Sequence, residues 1–274
     1  MNEQQQILVI GGKGKTGGRV VQKLQDMGAA VTSASRSTNP TFDWNEPHTW
    51  EQVLKDKDSV YITYQPDLAV PGATEAIKAF SAAAAKAGIK KLVLLSGRGE
   101  VEAQAAESVV INSGLEWTII RASWFNQNFS EGSFLEPILA GYVELPAGDV
   151  REPFVDADDI ADVAVAALTQ EGHKGKLYEV TGPRLITFRE AVEAIANVTG
   201  KPIQYQYITI EDYTAALTAY SLPENIVRLI AYLFTEVLDG RNEHLAHGVE
   251  EALGRKPTDF TEYVKKAAAA GAWS

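Results

Sequence analysis

With 274 residues, 45% of them hydrophobic, the chain can bury one large core, or one core with a smaller appendage. Twenty-five basic against thirty-six acidic residues give a formal net charge of −11, which excludes a face-wide surface for nucleic acid or anionic membrane and makes any basic cluster local. There is no cysteine, so disulfides, thiolate metal sites and thiol nucleophiles are excluded.

The N-terminal stretch MNEQQQILVIGG is too acidic, and its apolar run too short, for a signal peptide. No stretch approaches the roughly 18 apolar residues of a membrane span, so the expectation is a cytoplasmic protein with neither membrane nor nucleic-acid partner.

The first half alternates strand-like runs with helical patterns. ILVI (7–10), AVTSA (30–34), SVYIT (59–63), KLVLL (91–95) and EWTII (116–120) do not alternate in polarity, as expected of strands covered on both faces of a parallel sheet. Val20, Val21, Leu24 and Met27 recur at helical spacing before Gly28, as do Ala76, Ile77, Phe80, Ala84 and Ala87 before Gly88. A further helix is expected from about 100 to 113, stopping at Gly114. Strands alternating with helices of this length read as right-handed βαβ units, hence a doubly wound α/β fold.

After Arg121 the pattern loosens through RASWFNQNFSEGSFLEP. It returns at IADVAVAAL, a helix preceded by Asp158 and Asp159, where acids complement the positive helix end. KLYEVTG (176–182) reads as another sheet strand, and Thr187-Phe188-Arg189-Glu190 as a capping box for a helix ending at Gly200. Beyond 200, helices around 212–220 and 224–238 lack the βαβ rhythm. The expected organisation is therefore a dinucleotide-binding domain over 1–200 and a small, mainly helical substrate-covering lobe over 201–274 that does not fold independently. KKAAAA near the C-terminus reads as an exposed helix closed by Gly271.

ILVIGGKGKTGGRVV (7–21) carries two competing phosphate signatures. A nucleoside-triphosphate loop needs G-x-x-x-x-G-K-[ST], and with Gly14 as its second glycine the first would fall on Val9, inside the strand. The dinucleotide reading needs a strand, then glycines, then a helix, and here ILVI precedes Gly12, Gly14 and Gly17, with a helix expected from about Gly17 to Met27. Gly11, Gly14 and Gly17 satisfy the G-x-x-G-x-x-G spacing of short-chain dehydrogenases equally well. Either register sets this loop, with Lys15 and Thr16, on a pyrophosphate at the helix start.

The second strand ends in Ser35-Arg36, where NAD enzymes carry an acid, about 20 residues on, for the ribose diol. An acid would repel a 2′-phosphate, whereas Arg36 can pair with one, and Lys13, Lys15 and Arg19 add positive charge, so NADP(H) is the expected cofactor. Phe42-Asp43-Trp44 is expected to end a short third strand, with Asp43 accepting from the adenine amino group.

The proton chemistry of short-chain reductases is missing. Their Tyr-x-x-x-Lys pair would fall on the helix through GEVEAQAAESVVINSG, which has neither residue. Ser96 is the retained member of the usual set, either catalytic or a cap on the strand–loop junction. Either the protein reduces an acceptor that needs no enzymic proton donor, such as an iminium or a quinone, or it binds the dinucleotide without turnover and senses its redox state, working through a protein partner.

GGKGKTGGRV, SRS, LVLLSG, RASWFNQNF, EPFVDADDIADVAVAAL and YEVTGP together resemble the NmrA-like branch of atypical short-chain dehydrogenases/reductases, over nearly the whole chain. GGKGKT, FDW and the GAWS ending look most like the ergot-alkaloid reductases of the agroclavine dehydrogenase and festuclavine synthase type, which reduce iminium intermediates with NADPH. The resemblance implies that the glycine loop, Arg36, Ser96 and Trp124-Phe125-Asn126 surround cofactor and substrate, the last group near the nicotinamide. Gln127-Asn128 departs from the acid that the family often carries before the second asparagine.

Trp124, Phe125 and Phe129 serve either a ligand or lobe packing. Tyr205, Tyr207, Tyr213 and Tyr220 either line the substrate lobe or pack its helices. His244 and His247 lack the spacing of a zinc helix, and Asp156, Asp158, Asp159 and Asp162 read as helix capping rather than a cation site.

Overall fold

The computed structural model describes residues 4–274. In chain order the elements are β1 (Gln6–Ile10), α1 (Lys15–Asp26), β2 (Ala30–Ala34), α2 (Trp50–Leu54), β3 (Ser59–Ile62), α3 (Ala73–Lys86), β4 (Lys91–Gly97), α4 (Val101–Ile111) and β5 (Glu116–Ala122). They continue as α5 (Leu135–Leu139), β6 (Tyr142–Leu145), β7 (Arg151–Glu152), α6 (Ala157–Thr169), β8 (Lys176–Val180), β9 (Ile186–Thr187), α7 (Phe188–Thr199), β10 (Gln204–Tyr207), α8 (Ile210–Ala219), α9 (Glu224–Tyr232), α10 (Gly248–Leu253) and α11 (Phe260–Ala269).

The chain forms two compact units that interleave in sequence: the first takes Met1–Ala122, Ala157–Val180 and His247–Arg255, the second Ser123–Asp156, Thr181–Ala246 and Lys256–Ser274.

The first unit is the expected doubly wound fold. Six strands run in the order β2-β1-β3-β4-β5-β8, every neighbouring pair parallel. The order reverses between β1 and β3, so the glycine turn after β1 stands at the switch point where such sheets bind ligands. Ile7–Ile10, Val60–Ile62 and Leu92–Leu94 are all fully buried, which explains their unbroken apolar runs. One core is built from Leu8, Val60, Ile62, Leu92 and Leu94 with Ile77, Phe80 and Ala84 of α3 and Ala103, Ala106 and Val110 of α4.

Two sequence expectations are corrected here and a third is extended. Helix α1 begins at Lys15, two residues before Gly17, because Gly14 takes an extended conformation and acts as its N-cap. Phe42-Asp43-Trp44 is not a strand: Phe42 turns into the core at ring distances of 5.0 Å from Trp44 and 5.8 Å from Phe80, and the Asp43 carbonyl accepts from the Trp50 indole at 2.8 Å. Asp158 and Asp159 stand in the first turn of α6, as expected, and the acids of this helix also form ion pairs: Asp158 meets Arg19 at 3.2 Å, Asp162 meets Lys23 at 2.7 Å, and Arg255 reaches Asp159 at 2.7 Å and Asp162 at 2.6 Å. Two of these pairs fasten α6 to α1.

The second unit is an aromatic core under helices and two short sheets, β10-β6 parallel and β7-β9 antiparallel. Phe129, Phe134, Phe154, Phe188 and Phe260 are buried at its centre, joined by Trp273, whose indole donates to the Phe129 carbonyl at 2.8 Å. The capping box of α7 is present in full: Thr187 accepts from the Glu190 N–H at 3.0 Å, and Glu190 accepts from the Thr187 N–H at 2.7 Å. Gly200 closes that helix in the left-handed region at φ +68°. Among the described residues no helix is long and apolar enough to cross a membrane.

Candidate functional site

The turn after β1 is built around glycines that admit no side chain. Gly11 stands at φ +70°, and a Cβ there would lie 2.2 Å from Thr63 Oγ1. A Cβ on Gly17 would lie 2.3 Å from the Gly11 carbonyl oxygen, and one on Gly12 would lie 2.2 Å from Ser33 Oγ. The Gly14 N–H donates to the Gly11 carbonyl at 2.8 Å and the Gly18 N–H to the Gly14 carbonyl at 2.9 Å. Gly11, Gly14 and Gly17 therefore form one contact set, which favours the G-x-x-G-x-x-G register, with Gly12 sealing the turn against β2.

Helix α1 starts with no side-chain cap and no acid in its first turn. Its opening N–H groups and positive dipole end thus suit an anion, and the glycine cradle lets a pyrophosphate approach the backbone.

Beyond β2, Arg36 is exposed and makes no hydrogen bond or ion pair among the described residues. Lys13 reaches the same loop, donating to Ser37 Oγ at 3.0 Å. The pair makes a small basic spot able to take a phosphate. Arg19, which the sequence grouped with them, is instead held by Asp158 at 3.2 Å and by the Lys15 carbonyl at 2.8 Å. Asp43 is half-buried, with Oδ1 accepting from the Asn45 N–H at 2.9 Å. That bond closes a local turn.

Ser96 opens a charged network that sequence reasoning missed. Its Oγ donates to Glu107 Oε1 at 2.6 Å, and Arg121 clasps the same carboxylate from Nε at 2.9 Å and Nη2 at 2.5 Å. Arg121 also faces Glu179 at 3.8 Å, and Glu179 accepts from Arg98 Nε at 2.5 Å. Two arginines and two glutamates thus tie together the carboxyl ends of β4, β5 and β8, with Glu107 and Arg98 nearly solvent-free. The signal was present in the sequence: Glu107 shares the apolar face of α4 with Ala103, Ala106 and Val110, where an acid needs a partner.

In the same unit Glu100, at the N-cap of α4, makes no capping bond and is buried. Burial, with the Asp67 charge beside it, pushes its carboxyl up to about 9.

In the second unit Trp124 packs against Phe188 and Phe234 at 5.4 and 5.2 Å between ring centres and stays half-buried. Phe129 lies wholly in that core. Phe125 is half-buried in a parallel bridge to Val155, and the Asn126 N–H donates to the Val155 carbonyl at 2.9 Å. The Asn126 carboxamide is fully buried, and neither Nδ2 nor Oδ1 has a hydrogen-bond partner. Such a doubly orphaned amide is costly unless a ligand satisfies it. Gln127, by contrast, donates to Asp156 at 2.7 Å.

Tyr205 donates to the Ala147 carbonyl and lies 4.8 Å under the Arg189 guanidinium, while Tyr207 and Tyr220 are exposed and Tyr213 packs 5.5 Å from Phe234. His247 pairs with Glu250 at 2.8 Å. Among the described residues no cluster of three or more histidines and acids is arranged to hold a metal.

Comparison with known proteins agrees with this geometry. A family model described as NAD(P)H-binding matches residues 11–171, from the glycine turn through α6. Agroclavine dehydrogenase of Claviceps fusiformis is 30% identical, the match covering 94% of this chain and 96% of that protein. NAD(P)H azoreductase of Xenophilus azovorans is 29% identical over 96% of this chain and 98% of its own length. Among solved structures, Citrobacter sp. triphenylmethane reductase complexed with NADP(H) superimposes with a TM-score of 0.80 at 20% identity, covering 96% of this chain and 99% of that one. The chain belongs to the NAD(P)H-binding family.

Proposed function

We propose that this NAD(P)H-dependent oxidoreductase uses NADPH to reduce a small, planar electrophile of the iminium, quinone or azo type, without a Tyr-x-x-x-Lys relay. The observation that carries the cofactor preference is Arg36: an exposed, unpaired guanidinium stands at the end of β2, with Lys13 of the glycine turn reaching the same loop, where an NAD enzyme has an acid.

In this reading Gly11, Gly12, Gly14, Lys15, Thr16 and Gly17 hold the pyrophosphate, Arg36 takes the 2′-phosphate and Asp43 faces the adenine. Ser96 belongs to the reaction end of the cofactor site, and Trp124, Phe125 and Asn126 to the substrate side, with Asn126 offering an NH2 donor group and a carbonyl acceptor. Residues 1–200 are assigned to the NADP-binding domain and 201–274 to the substrate lobe. The bound dinucleotide supplies a hydride. The chain's residues orient both partners and exclude water from the transfer.

The relatives support the acceptor class. One is named an NAD(P)H azoreductase and another an agroclavine dehydrogenase. The test is loss of NADPH absorbance with menadione, methyl red and 2-methyl-3,4-dihydroisoquinolinium, each run against NADH. Turnover of at least one acceptor with NADPH preferred is expected; tight NADPH binding with no turnover of any acceptor would overturn the reductase reading.

A further inference from the structure

The reductase reading leaves open where a proton would come from if the acceptor needs one. The Ser96 hydroxyl donates to Glu107 at 2.6 Å. A different acid, four residues after Ser96 at the start of α4, lies over the next residue of β4. The Glu100 carboxyl covers Gly97, such that a Cβ on that glycine would lie 2.0 Å from Oε1, 2.3 Å from Cδ and 2.5 Å from Oε2. Glu100 is 6% exposed; its carboxyl shares a hydrogen bond with Asp67, and its Oε2 has no hydrogen-bond partner. It occupies the N-cap of α4 yet caps nothing, although a carboxylate there would normally accept from the first free N–H groups.

The groups facing it explain why it stays protonated. Asp67 approaches from the β3–α3 loop, and Glu102 and Glu107 from α4, so every named charge around the Glu100 carboxyl is an acid. Arg98, in the same loop, is turned to Glu179. A buried carboxyl among carboxylates keeps its proton and can donate it.

The place also fits. The loop bearing Asp67 leaves β3 at Thr63, whose hydroxyl donates to the Ile10 carbonyl at 3.1 Å and abuts Gly11. The loop from β3 therefore runs from the glycine turn to Glu100, along the carboxyl edge where doubly wound sheets lay their ligands. Asp67 itself is half-buried, its Oδ1 accepting from the Ala69 N–H at 2.8 Å, and so it has access to water.

We propose that Glu100 is the acid that protonates the substrate as it is reduced, with Asp67 returning protons from solvent, and that the acceptor is therefore one that turns anionic on hydride transfer, a quinone or an azo group rather than an iminium. This rests on the reductase reading. The acceptor gains a hydride at carbon or nitrogen, and its π pair moves onto the conjugated oxygen or nitrogen. That atom forms a new bond to the Glu100 proton, and the Glu100 O–H bond breaks to leave a carboxylate. Water, through Asp67, restores the proton; the dinucleotide is oxidised and the acceptor reduced by one electron pair.

The test compares menadione with 2-methyl-3,4-dihydroisoquinolinium, an iminium that becomes a neutral amine without a proton. In the wild type, kcat for menadione is expected to fall as pH rises through about 9, the range to which Glu100 is raised, while the iminium rate lacks that limb. Glu100→Gln should lower kcat for menadione by about 10²–10⁴-fold and abolish the limb, with NADPH affinity retained. Glu100→Asp should keep the limb. A flat wild-type profile with menadione, or Glu100→Gln turning it over at the wild-type rate, overturns the proposal while leaving the reductase intact. A wild type that reduces only the iminium does the same, and one that binds NADPH but reduces neither takes both down.

Discussion

Gly17 stands so close to Gly11 that a single added carbon on it would lie 2.3 Å from the Gly11 carbonyl oxygen. The helix start and the turn are thus in backbone contact, which holds the N-terminal end of α1, with no side-chain cap, against the turn after β1. Gly17→Ala should force the two apart, at about 1–3 kcal/mol of overpacking, and weaken NADPH binding by at least about tenfold. Gly18→Ala is the control, since its nearest neighbour would lie at 3.6 Å. Calorimetric titration of both variants checks this, and equal affinity in the two would refute the role of the contact.

Arg36 decides which dinucleotide binds. A charge-assisted bond to phosphate is worth about 1.5–3 kcal/mol, so Arg36→Asp should weaken NADPH by at least about 10–100-fold, repulsion adding to the lost bond. NADH, which lacks the extra phosphate, should be held about as well or better. Equal losses for both cofactors would show that Arg36 is only a solvated surface residue.

The pair of Glu107 and Arg121 is the structural keystone of the three-strand edge, with Glu107 almost fully buried. Arg121→Met leaves that carboxylate without its guanidinium and should cost about 3–5 kcal/mol in urea unfolding. Replacing both, as Glu107→Leu with Arg121→Met, should recover most of the loss, because a buried pair and an apolar pair of similar volume differ little. Failure of the double variant to recover would mean that Arg121 is held chiefly by Glu179.

Asn126 separates binding from stability. Its buried carboxamide has neither donor nor acceptor satisfied, so Asn126→Leu should leave melting temperature unchanged or raise it, by about 1–2 kcal/mol equivalent, while lowering kcat/KM. A variant that is less stable and fully active would place Asn126 in the scaffold instead.

Much of the first unit was readable in the sequence because its signals are local. Unbroken apolar runs mark strands covered on both faces, and Gly28, Gly88 and Gly114 mark helix ends, all three at positive φ. The capping box at Thr187 and Glu190 was equally legible. What escaped was set by contacts distant in sequence. Whether Phe42 joins a strand or turns inward depends on Phe80 and Trp50, and the pairing of Asp158 with Arg19, beyond its place at the helix start, depends on how α1 lies on α6. The parallel pair β6 and β10 is separated by almost sixty residues, too far for a hairpin signal. At the site, the glycines and Arg36 announced themselves by type and spacing, whereas Glu100, in an ordinary-looking GRGE stretch, acquires its character only from Asp67 and from the glycine beneath it.

Glu100 also leaves a signature in stability that needs no substrate. Its folded-state value of about 9 lies above the 4.5 of a free glutamate, so the native state binds a proton that the unfolded chain releases. The sign follows: the stabilising contribution is whole below about 4.5, declines as the unfolded chain ionises, and is fully lost once pH passes about 9 and the native carboxyl ionises too. Glu100→Gln keeps the shape and the hydrogen-bond donor toward Asp67 but cannot ionise. The variant should therefore gain stability over the wild type as pH rises, with the difference growing by on the order of 4 kcal/mol between about pH 5 and 8.5. Urea unfolding at the two pH values measures it directly. A gap between variant and wild type that stays constant with pH would mean that Glu100 is ionised in the native protein and holds no proton to give.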